Sequence, residues 1–435
     1  MDAGGAGDAA VATGASLAGG SAGAESVAGS RQGRPTADGS QGRPTTDGSQ
    51  ESPRAVDGLR VAVVGGGVAG SASAVALALV GAKVTVLEAY DDPAGPVGSF
   101  LSLAANGLRG LDALGCLPAV QAAGFAVPRQ RMWAAHGKLL GDVPRARTSG
   151  DPLISVTLSR AGLVTALRAA AEAAGAQVIT GRPVGAADPI EGADLIVGAD
   201  GIWSQIRRVL DPAGPEPAYA GLYSVSGTTT PLNLKPGAWN MIYGRRGAFI
   251  YLPTPDGTVW WSAQVAAPQP PDLRAVGRGE LAGIFADSKR AVSIIAAGDG
   301  PLSPTLHHVL GPVTRTHDGR TVLVGDAVHP VGSGQGASMA IEDAVVLAQQ
   351  LQRQPDLTEA LAEFDRLRQA RVGKMARAAA TNRDAKTAGP VAARLRNLFM
   401  PLFFSRGYER ATAWLYDYDL GTLDPTGYRD VLPSP

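Results

Sequence analysis

The 435-residue sequence holds a single cysteine, Cys116, and its aromatic residues make up only 5% of the chain. One thiol excludes an internal disulfide framework and a metal site built from several cysteines, and it suits a reducing cytoplasm. Net charge is also absent, because 39 Lys and Arg residues balance 39 Asp and Glu residues. This balance gives no electrostatic signal for binding nucleic acid or an anionic membrane.

Long apolar runs are missing as well. No segment approaches the roughly eighteen consecutive apolar residues that a membrane span needs. The N-terminal segment has neither the basic region nor the apolar stretch of a secretory signal peptide. The sequence therefore predicts an untargeted, cytoplasmic protein without a membrane span.

Residues 1–56 lack the composition of a folded domain. They consist mainly of Gly, Ala, Ser, Thr and Asp and include no aromatic residue. A nine-residue segment, QGRPTADGS, begins at Gln32 and recurs as QGRPTTDGS from Gln41. Such a segment buries too little apolar surface to offset its chain entropy, so we expect a disordered tail.

A strand–glycine loop–helix–strand pattern follows the tail. Residues 59–64 (LRVAVV) form a short apolar run typical of a buried parallel strand. Residues 65–70 read GGGVAG, and an Ala-rich helical segment leads to a second apolar run at 83–87. Glu88 ends this run, where its carboxylate is placed to accept hydrogen bonds from a ribose.

The spacing within this loop is that of a dinucleotide-binding turn. Gly65 permits a tight turn, Gly67 lets a pyrophosphate approach the backbone, and Gly70 lets helix and strand pack closely. The helix N terminus, with Val68 and Ala69, offers free N–H groups to phosphates. The motif predicts dinucleotide binding but does not distinguish FAD from NAD.

Two aspartates follow apolar strands further along the chain. Asp200 ends one such strand and precedes a helical segment. Asp326 lies at the carboxyl end of another, where open α/β sheets bind ligands. Helix capping or a turn is the structural alternative for each aspartate alone, but their order along the chain favours a cofactor site. A second helix N terminus follows, which suits an anionic flavin locus and is formed by Gly334, Gln335, Gly336 and Ala337.

Together these motifs resemble the class A flavoprotein monooxygenases, the para-hydroxybenzoate hydroxylase-like aromatic hydroxylases. The resemblance spans roughly residues 59–419 and includes the segment Ala-Asn-Gly-Leu at 105–108. It implies that Arg160, in Ser-Arg-Ala-Gly-Leu, lies beside the FAD and that Asp326 holds the ribityl chain. His329 and Pro330 are then candidates for contacts near the flavin, and no residue is assigned as a catalytic base.

The resemblance also implies an α/β (α+β) fold. A Rossmann-like FAD-binding domain would carry an inserted antiparallel β-sheet substrate domain, followed by C-terminal helices. The expected segments are a disordered tail (1–56), a discontinuous FAD-binding domain (57–211 plus 312–354), a β-rich substrate domain (212–311) and a C-terminal helical region (355–435). The apolar segment 395–407 is expected to pack against the FAD-binding domain, and an interfacial or dimer contact stays open.

The implied activity is oxygen transfer from a flavin C4a-hydroperoxide to an electron-rich aromatic or polycyclic small molecule. NADPH or NADH would reduce the flavin as a transient co-substrate, because no second GxGxxG motif followed by an acidic residue is present. The expected partners are the aromatic substrate and O2, with no nucleic acid and no metal. A flavin-dependent epoxidase, oxidase or reductase stays open, since fold does not fix reaction. So does a non-catalytic FAD-binding sensor that contacts partners through its tail.

The predicted substrate domain concentrates aromatic residues. Strand alternation puts Trp239, Met241 and Tyr243 on one face. We expect this face, together with Tyr251, to roof an apolar pocket over the flavin. For each residue, packing in the sheet core is an equally good interpretation.

Overall fold

The computed structural model describes residues 54–92, 100–330, 335–386, 400–401, 403–404 and 407–425. Most of the predicted tail and Gly334 lie outside this range. The predicted tail boundary at residue 56 is wrong, because Val56 is buried in the core at 1% exposure. The backbone N–H groups of Ala55 and Val56 donate to the carbonyls of Gln354 and Leu351 at 2.9 and 3.1 Å. The fold therefore includes the last three residues of the segment predicted to be disordered.

The first layer is a five-stranded sheet in which every pairing is parallel. Its strand order is β15-β9-β1-β2-β8. The strands are β1 (Arg60–Val64), β2 (Lys83–Leu87), β8 (Gln177–Ile179), β9 (Leu195–Gly198) and β15 (Thr321–Leu323). The two strands predicted at 59–64 and 83–87 are confirmed as β1 and β2. Because all five strands run the same way, the loops after them meet at one edge of the sheet.

Helices cover this sheet and the neighbouring strands. The Ala-rich helix α1 is almost entirely buried, and it packs between α4 and α8. The helices are α1 (Val68–Leu79), α2 (Ala105–Ala113), α3 (Leu117–Ala123), α4 (Arg160–Ala173), α5 (Gln205–Leu210), α6 (Arg278–Ile284), α7 (Lys289–Ala296), α8 (Gly336–Arg353), α9 (Leu357–Lys386) and α10 (Tyr408–Tyr416). A short 3-10 helix spans Gly325–Ala327. None of the helices within the described ranges is long and apolar enough to cross a membrane.

A small three-stranded sheet precedes helix α4 of the parallel-sheet layer. Its order is β3-β7-β4, and both pairings are antiparallel. The strands are β3 (Phe100–Leu103), β4 (Phe125–Ala126) and β7 (Val156–Ser159). Strand β7 runs directly into α4, so Arg160 follows this sheet without a loop.

The largest sheet has seven strands in the order β14-β10-β13-β12-β11-β5-β6. They are β5 (Arg129–Ala134), β6 (Leu139–Pro144), β10 (Ala218–Thr229), β11 (Ala238–Tyr243), β12 (Gly247–Pro253), β13 (Val259–Ala266) and β14 (Ser303–Val309). The predicted hairpin turn at 255–257 joins β12 to β13. Two features differ from the prediction. Strands β5 and β6 come from the segment assigned to the FAD-binding domain, and β5 pairs with β11 in parallel, so the sheet is mixed.

The two faces of this sheet have different coverings. On one face, Phe249 and Trp261 pack against Phe285 and the helices α6 and α7. We call this the outer face. The inner face carries Trp239, Met241 and Tyr243, and it packs against β3, β4 and the C-terminal residues Met400, Phe404 and Tyr408. In segment 395–407, Met400 and Phe404 pack on this inner face, largely against β5 and β6, which lie within the segment 57–211.

Candidate cofactor and substrate site

The glycine loop after β1 is shaped by two close backbone contacts. Gly65 has a φ of 98°, and a Cβ there would lie 2.6 Å from the Ala199 carbonyl oxygen. A Cβ on Gly70 would lie 1.8 Å from the Gly65 carbonyl oxygen. Gly67 differs, because the nearest neighbour to a Cβ would be Arg160 Nη2 at 3.9 Å. Gly65 and Gly70 are thus required by packing, whereas Gly67 borders open space.

Glu88 lies at the end of β2, beside this loop. Its Oε2 accepts a hydrogen bond from the Gly66 N–H at 2.5 Å, and Oε1 accepts one from the Tyr90 N–H at 3.0 Å. The side chain is buried, with 6% of the residue exposed. Each carboxylate oxygen keeps a further lone pair, so the group holds the loop and can still accept from a hydroxyl.

Two helix N termini meet at this edge of the parallel sheet. Helix α1 begins after Gly67 and α8 after Gln335, and neither has a side-chain cap. Their first N–H groups and positive dipole ends therefore favour an anion nearby. Gly325 lies between the two helices, and its lack of a side chain lets them approach, because a Cβ there would touch both Ala69 and Ala340.

Asp326 lies next to the start of α8. A Cβ on Gly336 would lie 3.5 Å from Asp326 Oδ1. Asp326 is exposed to solvent, although the protein atoms around its carboxylate partly desolvate that group. Burial raises the pKa of Asp326, against the opposing effect of the positive charges of His329 and Arg160. The structure thus brings Asp326, Arg160, Gly67 and the Gln335–Ala337 turn to one place.

Asp200 lies beside the glycine loop, because a Cβ on Gly65 would lie 3.0 Å from Asp200 Cα, and its carboxylate also caps a helix. Its Oδ1 accepts from Ser204 Oγ at 2.5 Å, and its Oδ2 accepts from the N–H groups of Gln205 and Ile206 at 2.7 and 3.2 Å. These bonds cap the first turn of α5, which is the structural alternative considered for this residue. The contact between this motif and the Asp326 turn comes instead from Arg207, whose Nη1 donates to the Ala327 carbonyl at 2.8 Å.

His329 forms a buried ion pair rather than a free base. Its Nε2 lies 2.6 Å from Asp343 Oδ2, which also accepts the Gly325 N–H at 2.8 Å. Burial alone would lower the pKa of His329, but the Asp343 carboxylate raises it above the ordinary histidine value. The Nδ1 atom is buried without a partner among the described residues. Pro330 follows directly, and Val331 onward lies outside the described residues until Gln335.

The ion pair belongs to a larger buried network that the sequence interpretation missed. Arg368 on α9 bridges Asp343 and Glu342 at 2.7 and 2.9 Å. Arg371 pairs with Glu342 at 2.8 Å, and Asn106 Nδ2 donates to the same carboxylate at 2.7 Å. The signal was present in two places, because Glu342 and Asp343 are acidic residues inside an apolar helix and Arg368 and Arg371 are three residues apart on one face.

Aromatic rings cluster between the inner face of the large sheet and strand β3. The Trp239 and Phe100 ring centres are 5.6 Å apart, and Phe100 is also 5.6 Å from Trp260. Phe100 pairs across β3 and β7 with Ser159, the residue before Arg160. Phe100 therefore links the inner face to the end of the strand that precedes Arg160.

The prediction that Tyr251 shares a pocket with Trp239 is wrong. Tyr251 pairs with Asn240 across β11 and β12, so it faces the side opposite to Trp239 and Met241. It lines a cavity of about 1020 Å³ on the outer face, beside Trp133 and Arg290. The sequence showed an aromatic residue in each strand but not the register that assigns the faces.

Comparisons with known proteins agree with these features. Residues 58–379 match a family model described as an FAD binding domain. The chain is 30% identical over 337 residues to aurachin C monooxygenase/isomerase of Stigmatella aurantiaca, covering 72% of this chain and 85% of that protein. It is also 30% identical over 351 residues to 3-hydroxybenzoate 6-hydroxylase 1 of Aquipseudomonas alcaligenes, covering 72% and 86%. The structure of Klebsiella pneumoniae HpxO with FAD and uric acid has a TM-score of 0.71 at 24% identity, covering 83% of this chain and 96% of that one.

Proposed function

Since the chain belongs to the class A flavoprotein monooxygenases, we propose that it hydroxylates a planar aromatic or heteroaromatic molecule held against the inner face of the seven-stranded sheet. It is an FAD-dependent monooxygenase of a family that draws its electrons from NADH or NADPH. The observation that carries the proposal is the contact of Trp239 with Phe100, whose strand partner precedes Arg160. This contact supports a substrate surface next to the strand end that leads into Arg160.

The residues present fit FAD. Gly67 borders open space at an uncapped helix N terminus, which suits a pyrophosphate. Two buried polar atoms near the start of α8, Asn106 Oδ1 and His329 Nδ1, have no partner among the described residues. Such atoms are costly unless a ligand or water satisfies them.

We assign the parts of FAD to these groups by their chemistry. Glu88 would accept hydrogen bonds from the adenosine ribose, and Val68 and Ala69 would donate N–H groups to the phosphates. Asp326 would bind the ribityl hydroxyls, and the turn of Gln335, Gly336 and Ala337, with Gly334 before it, would face the anionic edge of the ring. Arg160 would supply positive charge at the same locus. Asp200 would contribute indirectly: it caps α5, and Arg207 of that helix donates to the Ala327 carbonyl next to Asp326.

Bound FAD would take a hydride from NAD(P)H and activate O2 for transfer to the substrate ring. The chain's own residues would then have two tasks. Trp239 and Met241 would hold the substrate ring by apolar contact and exclude water from the reacting edge. Arg207 would fix the Asp326 turn through the Ala327 carbonyl, so that the cofactor-binding groups stay in place during turnover.

The segments divide between these tasks as follows. Residues 57–211 and 312–354 would bind FAD, except that strands β5 and β6 would join 212–311 in forming the substrate site. In the C-terminal helical region, predicted as 355–435, the helices α9 and α10 would close the site. We also propose that the enzyme works in the cytoplasm, because its one cysteine, Cys116, is a free thiol, so the fold does not depend on a disulfide.

The test is a screen of the FAD-loaded protein against phenols, hydroxybenzoates, quinolones and polycyclic phenols. We expect substrate-dependent oxidation of NADH or NADPH and a product that carries one oxygen atom from labelled O2. Electron consumption without oxygen in any product would instead identify an oxidase or reductase and overturn the proposal.

A matched pair of variants tests where the substrate binds. Trp239→Leu removes an inner-face indole, and we expect KM to rise at least tenfold while FAD content stays unchanged. Trp133→Leu makes the same change on the outer face, where Trp133 lines the separate cavity, and should leave KM as it is. A rise in KM for Trp133→Leu alone would place the substrate on the wrong face for this proposal.

A further inference from the structure

Arg145 follows β6 and extends over the inner face of the sheet. Its guanidinium carbon lies 4.3 Å from the ring centre of Trp239. Nη1 donates to the side-chain oxygen of Gln130, which is the cross-strand neighbour of Trp239. Arginine stacks readily on indole, and such a stack leaves the edge of the guanidinium available for another partner.

No carboxylate within the described part of the chain forms an ion pair with Arg145. Its Nε is buried without a hydrogen-bond partner, and no bond is made by Nη2 within that range. Arg145 itself is half-buried, and the more deeply buried arginines of the molecule are satisfied differently. Arg368 and Arg371 each contact a carboxylate, and Arg207 donates to two backbone carbonyls.

Two tyrosines near Arg145 are neutral groups. Tyr408 and Tyr416 on α10 lie nearby, with their hydroxyl oxygens 3.5 Å apart. Burial raises the pKa of Tyr408 well above its ordinary value, so this phenol does not supply a negative charge. A desolvated cation without an anion is unfavourable, and a ligand with negative charge would compensate it.

The backbone after Arg145 is held in an uncommon conformation. Ala146 has a φ of 51°, the one positive value of a non-glycine residue among those described. Its carbonyl accepts the Ala105 N–H at 3.0 Å, and the Arg145 N–H donates to Pro128 O at 3.0 Å. Conformations of this kind persist where surrounding structure enforces them, and they cluster at binding sites.

This strained residue also connects Arg145 to the cofactor side. The Ala146 side chain packs in a cluster with Met339, which lies three residues after Gly336 in α8, and with Tyr416. Arg145 is thus fixed between the inner-face aromatic residues and the helix whose N terminus we assign to the flavin ring.

We propose that Arg145 binds an anionic group of the aromatic substrate, a carboxylate or an ionised phenol. This inference rests on the proposed function and adds the charge of the substrate to it. Nη2, at the edge of the guanidinium, would donate hydrogen bonds to the anionic oxygens. Trp239 would stay stacked on one face of the guanidinium. The enzyme would therefore prefer an aromatic acid to its neutral amide.

The experiment uses the FAD-loaded full chain and pairs of compounds that differ only in charge. The probes are benzene, naphthalene and quinoline carboxylic acids, with and without a ring hydroxyl, and the matching carboxamides. Dissociation constants are measured from changes in the flavin absorbance spectrum, independently of turnover. We expect at least one acid to bind tenfold or more tightly than its amide.

Variants then locate the charge. Arg145→Gln should abolish the preference for the acid, and Arg145→Lys should retain part of it. Arg131→Gln is the control, because Arg131 pairs with Asp142 and lines the outer cavity. Circular dichroism and FAD content of each variant show that the fold is kept, and Arg145→Lys serves if Arg145→Gln does not fold.

Three results would overturn the inference. These are equal affinity for acids and amides across the panel, a preference that survives in both Arg145 variants, and a preference lost in Arg131→Gln instead. If neutral substrates are hydroxylated without any charge preference, the inference fails and the proposed function stands. If no compound yields an oxygenated product, the proposed function itself fails.

Discussion

Gly67 and Gly70 lie in one loop, yet the space around them differs. In Gly70→Ala the new Cβ would overlap the Gly65 carbonyl at 1.8 Å. Backbone atoms cannot move aside cheaply, so we expect a loss of about 3 kcal/mol or more in unfolding free energy. In Gly67→Ala the Cβ meets no protein atom closer than 3.9 Å, and the backbone there is extended. We expect that variant to fold normally but to bind FAD at least tenfold more weakly, about 1.4 kcal/mol.

Urea unfolding of the two apoproteins and FAD titration of the folded one separate these effects. Normal FAD affinity in Gly67→Ala would remove the pyrophosphate from this part of the loop. Normal stability in Gly70→Ala would contradict the close packing of α1 against β1.

His329 should make stability depend on pH. Its pKa is raised in the folded protein, so folding favours the protonated form. The stabilisation is fully present below the unfolded value of about 6.5 and is lost as pH rises through the folded-state pKa. We therefore expect the unfolding free energy of the native protein to fall with rising pH in this range, relative to His329→Gln. Denaturant unfolding of both proteins over the range measures the difference, and parallel curves would show that the His329–Asp343 pair carries no linked proton.

Sequence reasoning at this scale worked where a residue's role follows from local geometry. The strand, turn and helix around Gly65 to Gly70 follow from the motif, because each glycine answers to a neighbour a few residues away. Asp200 and Tyr251 show the limit. A capping hydrogen bond competes with a cofactor role at Asp200, and strand register alone decides the face of Tyr251.

At the scale of elements, the joint between α8 and α9 depends on buried charges. Arg368 has only 5% of its side chain exposed and contacts both Glu342 and Asp343. Arg368→Met would remove one of the two cationic partners of each buried carboxylate, since Glu342 keeps only Arg371 and Asp343 keeps only His329. We therefore expect a loss of about 3–5 kcal/mol in unfolding free energy. Denaturant titration measures this loss.

Arg366→Met is the matched control on the same helix. Arg366 is 68% exposed at its side chain and pairs with Glu363 on the surface, so its removal should change stability little. Equal losses for the two variants would mean that the buried network does not bind α9 to α8.

Elements themselves were predictable where their pattern is local. Strands β1 and β2 and the turn between β12 and β13 follow from apolar runs and turn residues. The segment that forms β5 and β6 was assigned to the FAD-binding domain rather than to the large sheet. Its partner strand β11 is about a hundred residues away, so no local pattern shows the pairing. The inner face was not identified as the surface under Met400 and Phe404 for the same reason, since apolar composition does not name the surface that it covers.

At the scale of the whole molecule, the start of the folded region can be located by truncation. A chain that begins at Arg54 keeps Val56 and its backbone bond to Leu351, so we expect its stability and FAD content to match those of the full chain. A chain that begins at Gly58 loses the buried Val56 side chain, which costs about 1.5–3 kcal/mol. Thermal unfolding and flavin content of both proteins test the boundary. Loss of FAD on removal of residues 1–53 would show that the segment predicted to be a disordered tail has a structural role.

The parallel pairing of β5 with β11 limits how this enzyme can be recombined with its relatives. Gln130 and Arg145 enter the inner face from a stretch of chain that precedes Arg160, whereas Trp239 enters it from one that follows. Exchanging residues 212–311 alone would set a foreign strand against the native β5, and a poor fit between them would expose a strand edge, which promotes aggregation. If the inner face binds the substrate as proposed, two separate segments of the chain determine substrate preference, and a working chimera has to inherit both from one parent.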